Sequence, residues 1–126
     1  MSRVALAVYR GATRLFEPAA GVFLRRRERQ GKEESARLGE RLGRAAMARP
    51  SGPLAWIHGA SVGEGLAVLP LIERLTERGF AVLLTTGTVT SSRVLAARLG
   101  PRAIHQFVPL DLPGACLLYT SDAADE

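Results

Sequence analysis

Short apolar runs alternate with segments of helical periodicity between Leu54 and Pro109, and this alternation limits the chain to one class of fold. Three runs have the length and composition of buried strands: residues 54–57, 80–86 and 103–109. Helices are predicted between them, from about Val62 to Arg78 with Gly79 as C-terminal cap, and from about Ser92 to Leu99 behind a hydroxyl cap. Such repeats with tight connections predict an α/β fold, a Rossmann-like parallel sheet with flanking helices.

The loop between the first strand and the first helix is the main candidate for a functional site. It runs from His58 to Glu64, with small residues at the strand's carboxyl end and a carboxylate in the first helical turn. Open α/β sheets build ligand sites at this edge. Gly63 and Gly65 would let a substrate approach the backbone, and Glu64 would accept a proton. The alternative is that Glu64 only complements the helix dipole, and the residues alone leave both open.

The chain has few residues that suit a metal or a cofactor. Cys116 is the single cysteine, which excludes an internal disulfide and a cysteine-based zinc site. His58 and His105 are far apart in sequence, and each is predicted to be a strand-end histidine satisfied by hydrogen bonds. No glycine-rich dinucleotide or P-loop motif occurs at the first strand–helix turn. The sequence therefore indicates no metal and no cofactor.

Positive charge and apolar residues coincide in the N-terminal third. Residues 1–49 hold twelve Lys/Arg against five Asp/Glu, and an interrupted apolar stretch over residues 4–24 precedes the basic cluster of residues 25–29. This pattern predicts a helical segment in or on a membrane interface, with its arginines on the cytoplasmic side. An amphipathic helix packed on its own protein is the alternative. Nucleic acid is not predicted as a partner, because no aromatic platform or binding motif accompanies the charge.

Residues 31–43 alternate charges between glycines. They predict a short solvated helix ending at Gly43, a linker between the N-terminal segment and the sheet.

The ordered motifs resemble the N-terminal part of the bacterial 3-deoxy-D-manno-octulosonic acid (Kdo) transferases. The most specific is the H-x-x-S-x-G-E pattern at His58, Ser61, Gly63 and Glu64, preceded by Trp56-Ile57. The supporting segments are residues 31–43, 69–72, 85–90 and 109–115. The resemblance covers roughly residues 3–115.

The resemblance implies the N-terminal half of a GT-B glycosyltransferase, preceded by a helical membrane-associated segment. It implies that Glu64 is the general base and that Ser61 and Gly63 contact the substrate. The implied reaction transfers Kdo from CMP-Kdo to lipid IVA with inversion, at the cytoplasmic side of the bacterial inner membrane. No cofactor is implied.

The expected organisation is a membrane-associated helical segment and basic linker over residues 1–48, a partial acceptor-side Rossmann-like domain over 49–115, and an atypical tail over 116–126. Family members are about three times as long, with the nucleotide site in a second domain, and the tail has no counterpart in them. We therefore expect a truncated or mis-assembled reading frame that is inactive alone. Two other functions stay open: a non-catalytic membrane-associated module that binds an anionic ligand, and an α/β interaction subunit.

Overall fold

The computed structural model describes residues 2–116. These residues form two compact units. The first comprises the described residues up to Ala45 and those from Pro109 onward, and the second is Ala46–Val108. The domain boundaries expected from the sequence stay predictions, and the expected tail lies outside the described residues except for Cys116.

The first unit is helical. Its helices are α1 (Arg3–Phe16), α2 (Ala20–Arg29) and α3 (Leu38–Arg41), with 3-10 turns at Glu17–Ala19 and Ser35–Arg37. Its apolar core is small. Ala20 packs with Leu112 and Ala115, and few other apolar side chains are buried. Within residues 2–116, no helix has both the length and the apolar character needed to cross a membrane.

The charged segment of residues 31–43 is not the solvated helix that its composition predicts. Only Ser35–Arg41 is helical, and the Glu33 side chain is 2% exposed. Glu33 accepts hydrogen bonds from Arg27 at 2.8 Å and from Arg41 at 2.9 Å. Burial is tolerated because each carboxylate oxygen meets a guanidinium, which offsets the loss of hydration.

The second unit is built on a three-stranded parallel sheet. The strands are β1 (Leu54–Gly59), β2 (Ala81–Thr86) and β3 (Ala103–Phe107), in the spatial order β1-β2-β3. His58 pairs with Thr85, and Thr85 pairs with Gln106. The predicted α/β fold with a parallel sheet is confirmed.

Three helices cover one face of this sheet: α4 (Val62–Ala67), α5 (Leu69–Glu77) and α6 (Val89–Ala96). Val82 and Leu84 of β2 pack there with Ile72 and Leu95, joined by the partly buried Ile57 of β1. Because side chains alternate along a strand, Trp56, His58 and Thr85 lie on the opposite face.

The single helix predicted from about Val62 to Arg78 is two helices. Val68 separates them, as the C-cap of α4 and the N-cap of α5. Pro70 has no N–H to donate to the Leu66 carbonyl, so it can stand in the first turn of a new helix but not inside a continuous one. Gly79 is the predicted cap: its φ is +92°, and Phe80 donates its N–H to the Leu75 carbonyl at 3.0 Å.

Helix α6 begins three residues before the predicted start. Thr88 is its N-cap, and the Thr88 hydroxyl accepts from the Ser91 N–H at 3.2 Å. The hydroxyl cap is therefore confirmed, but it belongs to an earlier residue of the threonine- and serine-rich loop.

Candidate functional site

The candidate site is the turn from β1 into α4. Ser61 is the N-cap of α4, and its hydroxyl accepts from the Glu64 N–H at 3.3 Å. The Glu64 carboxylate reaches back in turn, and its Oε2 accepts from the Ala60 N–H at 2.6 Å. The arrangement is a reciprocal cap close to the S-x-x-E capping box, except that the N–H donor to the glutamate is the residue before the N-cap, Ala60, and not the N-cap itself.

This cap orients the Glu64 carboxylate while leaving it accessible. Glu64 is exposed, and the structure gives Oε1 no partner among residues 2–116. One oxygen is therefore anchored and the other is available to accept a proton. Capping alone would also account for an acidic residue here, so the cap and the base are compatible roles for Glu64.

The three site residues predicted from the sequence lie together in this turn. Ser61, Gly63 and Glu64 are all exposed and fall within the cap and first turn of α4. A β-carbon at Gly63 would meet no other atom within 4 Å, so the backbone there is open to solvent. Substrate contacts by Ser61 and Gly63 stay predictions.

Gly65 does not have the open surroundings expected for it. It is buried, and a β-carbon would come within 2.4 Å of Leu95 Cδ1. A β-carbon at Gly59 would likewise come within 3.0 Å of the Gly65 backbone nitrogen. These two glycines let α4 lie close against β1 and α6, which places Glu64 at the sheet's carboxyl edge.

Sequence reasoning left out a second group of side chains beside this turn. The Trp56 Nε1–H donates to the Thr85 hydroxyl at 3.0 Å, and His58 Nδ1 lies 3.0 Å from the same oxygen. Thr85 is completely buried, whereas Trp56 is 47% exposed and His58 is exposed. The alternation of β1 puts Trp56 and His58 on one face, but their shared partner comes from β2 and could not be identified from local sequence.

The other histidine lies in the interior of the second unit. His105 is buried, its Nε2 lies 2.7 Å from the Thr86 hydroxyl, and its ring meets Phe107 edge-on at 5.4 Å. Both histidines therefore lie in strands and have hydrogen-bond partners, as predicted, but only His58 is near a strand end, since His105 is the middle residue of β3. Within residues 2–116, no three metal-binding side chains cluster.

Comparison with known proteins identifies the family. The sequence model described as "3-Deoxy-D-manno-octulosonic-acid transferase (kdotransferase)" matches residues 36–120. A probable mitochondrial 3-deoxy-D-manno-octulosonic acid transferase from Arabidopsis thaliana is 37% identical over 108 residues, 84% of this chain and 24% of that protein. The 3-deoxy-D-manno-octulosonic acid transferase of Bordetella pertussis is 38% identical over 117 residues, 86% of this chain and 27% of that protein.

Relatives in other organisms match a shorter segment of the chain. The transferase of Rickettsia felis is 45% identical over 60 residues, 46% of this chain and 13% of that protein. The chain thus spans about a quarter or less of the length of these relatives. No solved structure matches it. With a family match over more than half of its residues, the chain belongs to the 3-deoxy-D-manno-octulosonic acid transferase family.

Proposed function

We propose that this chain is the acceptor-side part of a glycosyltransferase that moves Kdo from CMP-Kdo to lipid IVA, with Glu64 as the general base. The observation that carries the proposal is the exposed Glu64 carboxylate, anchored through one oxygen within the segment that matches the family. The names of the relatives state Kdo transfer as the activity of those proteins.

In the proposed reaction, a hydroxyl of the acceptor sugar donates a hydrogen bond to Glu64 Oε1. As the hydroxyl oxygen attacks the anomeric carbon of Kdo, its proton passes to the carboxylate. The bond from that carbon to the phosphate oxygen breaks, CMP leaves, and the anomeric configuration inverts. Ser61 holds the turn through its cap, and Gly63 leaves room for the sugar beside Glu64.

The donor site belongs to the second Rossmann domain of a GT-B fold in this proposal. The relatives are about four times as long as the matched segment, which leaves room for such a domain. Residues 1–126 alone are expected to transfer no Kdo. A donor that is not held beside the acceptor reacts without the rate enhancement that comes from binding two reactants together. Turnover by this chain above a no-enzyme background would contradict this placement of the donor site.

We further propose that the N-terminal helices hold the protein at the cytoplasmic side of the inner membrane. Val4, Val8 and Leu15 are 71, 66 and 84% exposed and share one side of α1. Arg3, Arg10 and Arg14 share another side. An apolar side flanked by arginines suits an interface with anionic lipid headgroups.

An apolar cavity lies next to this surface. It has a volume of about 400 Å³ and is lined by α1, Phe23 of α2 and residues 110–112. Phe16 is 48% exposed at its edge. The exposed side chains and the cavity together supply the apolar area that a membrane-bound segment would bury.

The base assignment is tested by Glu64→Gln in a full-length protein, obtained by joining residues 1–116 to the remainder of the Bordetella pertussis relative. Glutamine still accepts the Ala60 N–H, so the cap survives while the proton acceptor is lost. Transfer to lipid IVA should fall by roughly 10²–10⁴. Glu77→Gln, an equal charge change at an exposed site on α5, is the control. Undiminished transfer by the Glu64 variant would contradict the mechanism.

Membrane binding is tested by flotation with phosphatidylglycerol vesicles and with neutral phosphatidylcholine vesicles. Val8→Gln should weaken binding by several-fold, because it removes an apolar side chain from the buried side. Ala7→Gln, on the arginine side of α1, should change binding little. Equal effects of the two substitutions would show that this side of α1 does not enter the membrane.

A further inference from the structure

We propose that the apolar cavity beside α1 binds one acyl chain of an anionic membrane phospholipid, with Arg10 and Arg14 at the lipid phosphate. This site rests on the membrane association proposed above and adds to it the binding of a single lipid molecule. It is carried by the lining of the cavity and by its place on α1, between the exposed apolar side and the arginine side.

The cavity has the size of a small-molecule site and extends along α1. Its volume of about 400 Å³ lies within the usual range for ligand sites. Four of its lining residues follow one another along one side of the helix: Tyr9, Ala12, Thr13 and Phe16. Because each residue advances a helix by about 1.5 Å, this row is about 10 Å long. A row of this length fits an extended chain that lies along the helix.

The hydroxyl groups that line the cavity are already hydrogen-bonded to the protein. The Tyr9 hydroxyl donates to the Asp111 carboxylate, and the Thr13 hydroxyl donates to the Tyr9 carbonyl at 2.9 Å. The other lining residues are apolar: Ala12, Phe16, Phe23, Leu110 and Leu112. Sugars and nucleotides need several polar groups that converge on them. This lining therefore favours a hydrocarbon ligand.

Aromatic contacts form one end of the cavity before any ligand binds. The rings of Phe16 and Phe23 meet edge-to-face, with their centroids 6.2 Å apart. The Arg27 guanidinium lies 5.7 Å from the Phe23 centroid and is itself hydrogen-bonded to Glu33 at 2.8 Å. Phe16 and Phe23 nevertheless stay 48 and 39% exposed. A ligand would thus meet rings that are already held in place, which lowers the entropic cost of binding.

The cavity side of α1 lies between two surfaces of opposite character. Ala12 is three residues before Leu15, so it adjoins the exposed apolar side. Arg10 is three residues before Thr13 and four before Arg14, so these three side chains are neighbours on the helix surface. An amphiphile whose chain enters the cavity can therefore place its head group at the arginines.

Arg10 and Arg14 are available to an anionic head group. Both are exposed, and no ion pair within residues 2–116 includes either of them. Guanidinium groups bind phosphate oxygens through charge-assisted hydrogen bonds. Charge complementarity therefore favours an anionic phospholipid, supplied by the bilayer on which α1 is proposed to lie.

Calorimetric titration of the 126-residue chain with lysophosphatidylglycerols tests the site without vesicles. The lipids form a series of increasing chain length, and each is kept below its critical micelle concentration. One lipid should bind per chain, with an affinity that rises about fourfold for each added methylene until the cavity is full. Beyond that length the affinity should stay constant. The absence of saturable binding, or an affinity that rises without a plateau, would overturn the proposal.

Ala12→Leu places a larger side chain in the cavity, and Ala7→Leu makes the same change on the arginine side as the matched control. Ala12→Leu should weaken binding of the monomeric lipid by about tenfold or more, because its added carbons displace part of the acyl chain. Ala7→Leu should change it little. Both variants should still float with phosphatidylglycerol vesicles, since leucine adds apolar area. Equal losses of monomer binding in the two variants would contradict the site.

A lysophosphatidylglycerol with a diazirine in its acyl chain locates the bound lipid directly. After irradiation, peptide mapping should find the label within residues 9–16 and 110–112. Label found only outside these segments would place the chain elsewhere and would refute the site.

The head-group contact is tested by replacing Arg10 and Arg14 with glutamine, singly and together. At low salt the affinity should fall about fivefold for each arginine removed, the usual contribution of a basic residue to the binding of anionic lipid. Arg93→Gln, the same charge change at an exposed position of α6, is the control. An affinity that does not change in the double variant would overturn the assignment of the phosphate.

Two other occupants would give different results. Binding of lipid IVA but of no lysophosphatidylglycerol would assign the cavity to the acceptor. A dimer of the lipid-free chain that Ala12→Leu dissociates would assign it to a second copy of the chain. Either result overturns the phospholipid site. Failure of the membrane association is recognised separately, because Val8→Gln is measured with vesicles and this site with monomeric lipid.

Discussion

Gly65 lies so close to Leu95 that a β-carbon on residue 65 would come within 2.4 Å of the Leu95 Cδ1 atom. Leu95 is fully buried in the core of the second unit, and its Cγ would be only 3.3 Å away. The Leu95 Cδ2 atom would be 3.2 Å away as well, so a β-carbon on residue 65 would meet the whole end of this side chain. The contact sets the distance between α4 and α6, and with it the position of the turn that carries Glu64.

Gly65→Ala should therefore destabilise the protein, although alanine normally favours a helix over glycine. We expect the free energy of unfolding to fall by about 1–3 kcal/mol, the usual cost of overpacking a core. Gly63→Ala is the matched control two residues earlier, where the β-carbon meets nothing within 4 Å. It should leave stability unchanged or raise it by up to about 1 kcal/mol. Urea unfolding followed by Trp56 fluorescence measures both, and equal effects would contradict the packing role of Gly65.

Ser61→Ala should cost about 1 kcal/mol of stability, because the Glu64 N–H would lose its side-chain acceptor. Ser61→Asn should recover most of this loss, since asparagine is an equally good N-cap. Thermal unfolding of the two variants measures the difference. An alanine variant as stable as the unsubstituted protein would mean that α4 is held by packing alone.

Glu33 and Glu34 are neighbours in sequence, but we expect Glu33 to contribute much more than Glu34 to the stability of the protein. Glu33→Ala would remove the carboxylate that Arg41, whose side chain is 5% exposed, contacts at 2.9 Å. Breaking a buried pair from one side typically costs about 3–5 kcal/mol. Glu34 is paired to Arg37 at 3.7 Å and its side chain is 31% exposed, so Glu34→Ala should cost at most about 1 kcal/mol. Chemical unfolding of the two variants provides the comparison, and similar losses would contradict the importance of the buried pair.

The Tyr9 hydroxyl donates a hydrogen bond to the Asp111 carboxylate, and this bond raises the pKa of Tyr9 above its ordinary value of 10.0. A raised pKa means that folding favours the neutral phenol. The stabilisation is therefore complete below the ordinary pKa and is lost as pH rises through the higher folded-state pKa. Asp111→Asn should lower the midpoint of phenolate absorbance towards 10.0. The Tyr9→Phe spectrum is subtracted to isolate this group, and an unmoved midpoint would contradict the assigned cause.

Local sequence was sufficient for those parts of the fold that depend on local interactions. The alternation of apolar runs and helical periodicity predicted the parallel α/β sheet, and Gly79 was correctly predicted as a cap. Periodicity and caps depend on residues a few positions apart, so they can be recognised in the sequence. Pro70 was a local signal too, and it marks the helix boundary that the periodicity concealed.

Other features were decided only by the tertiary structure, because they join residues that lie in different structural elements. The charged residues of 31–43 predict a solvated surface until Arg27 and Arg41 are placed on either side of Glu33. Gly65 suggested an open approach for a substrate until Leu95, thirty residues later, was placed against it. Thr85 likewise comes within hydrogen-bond distance of His58 only when β2 pairs with β1. Sequence patterns record each residue's own preference, whereas burial and side-chain pairing depend on which distant segment the chain topology brings alongside.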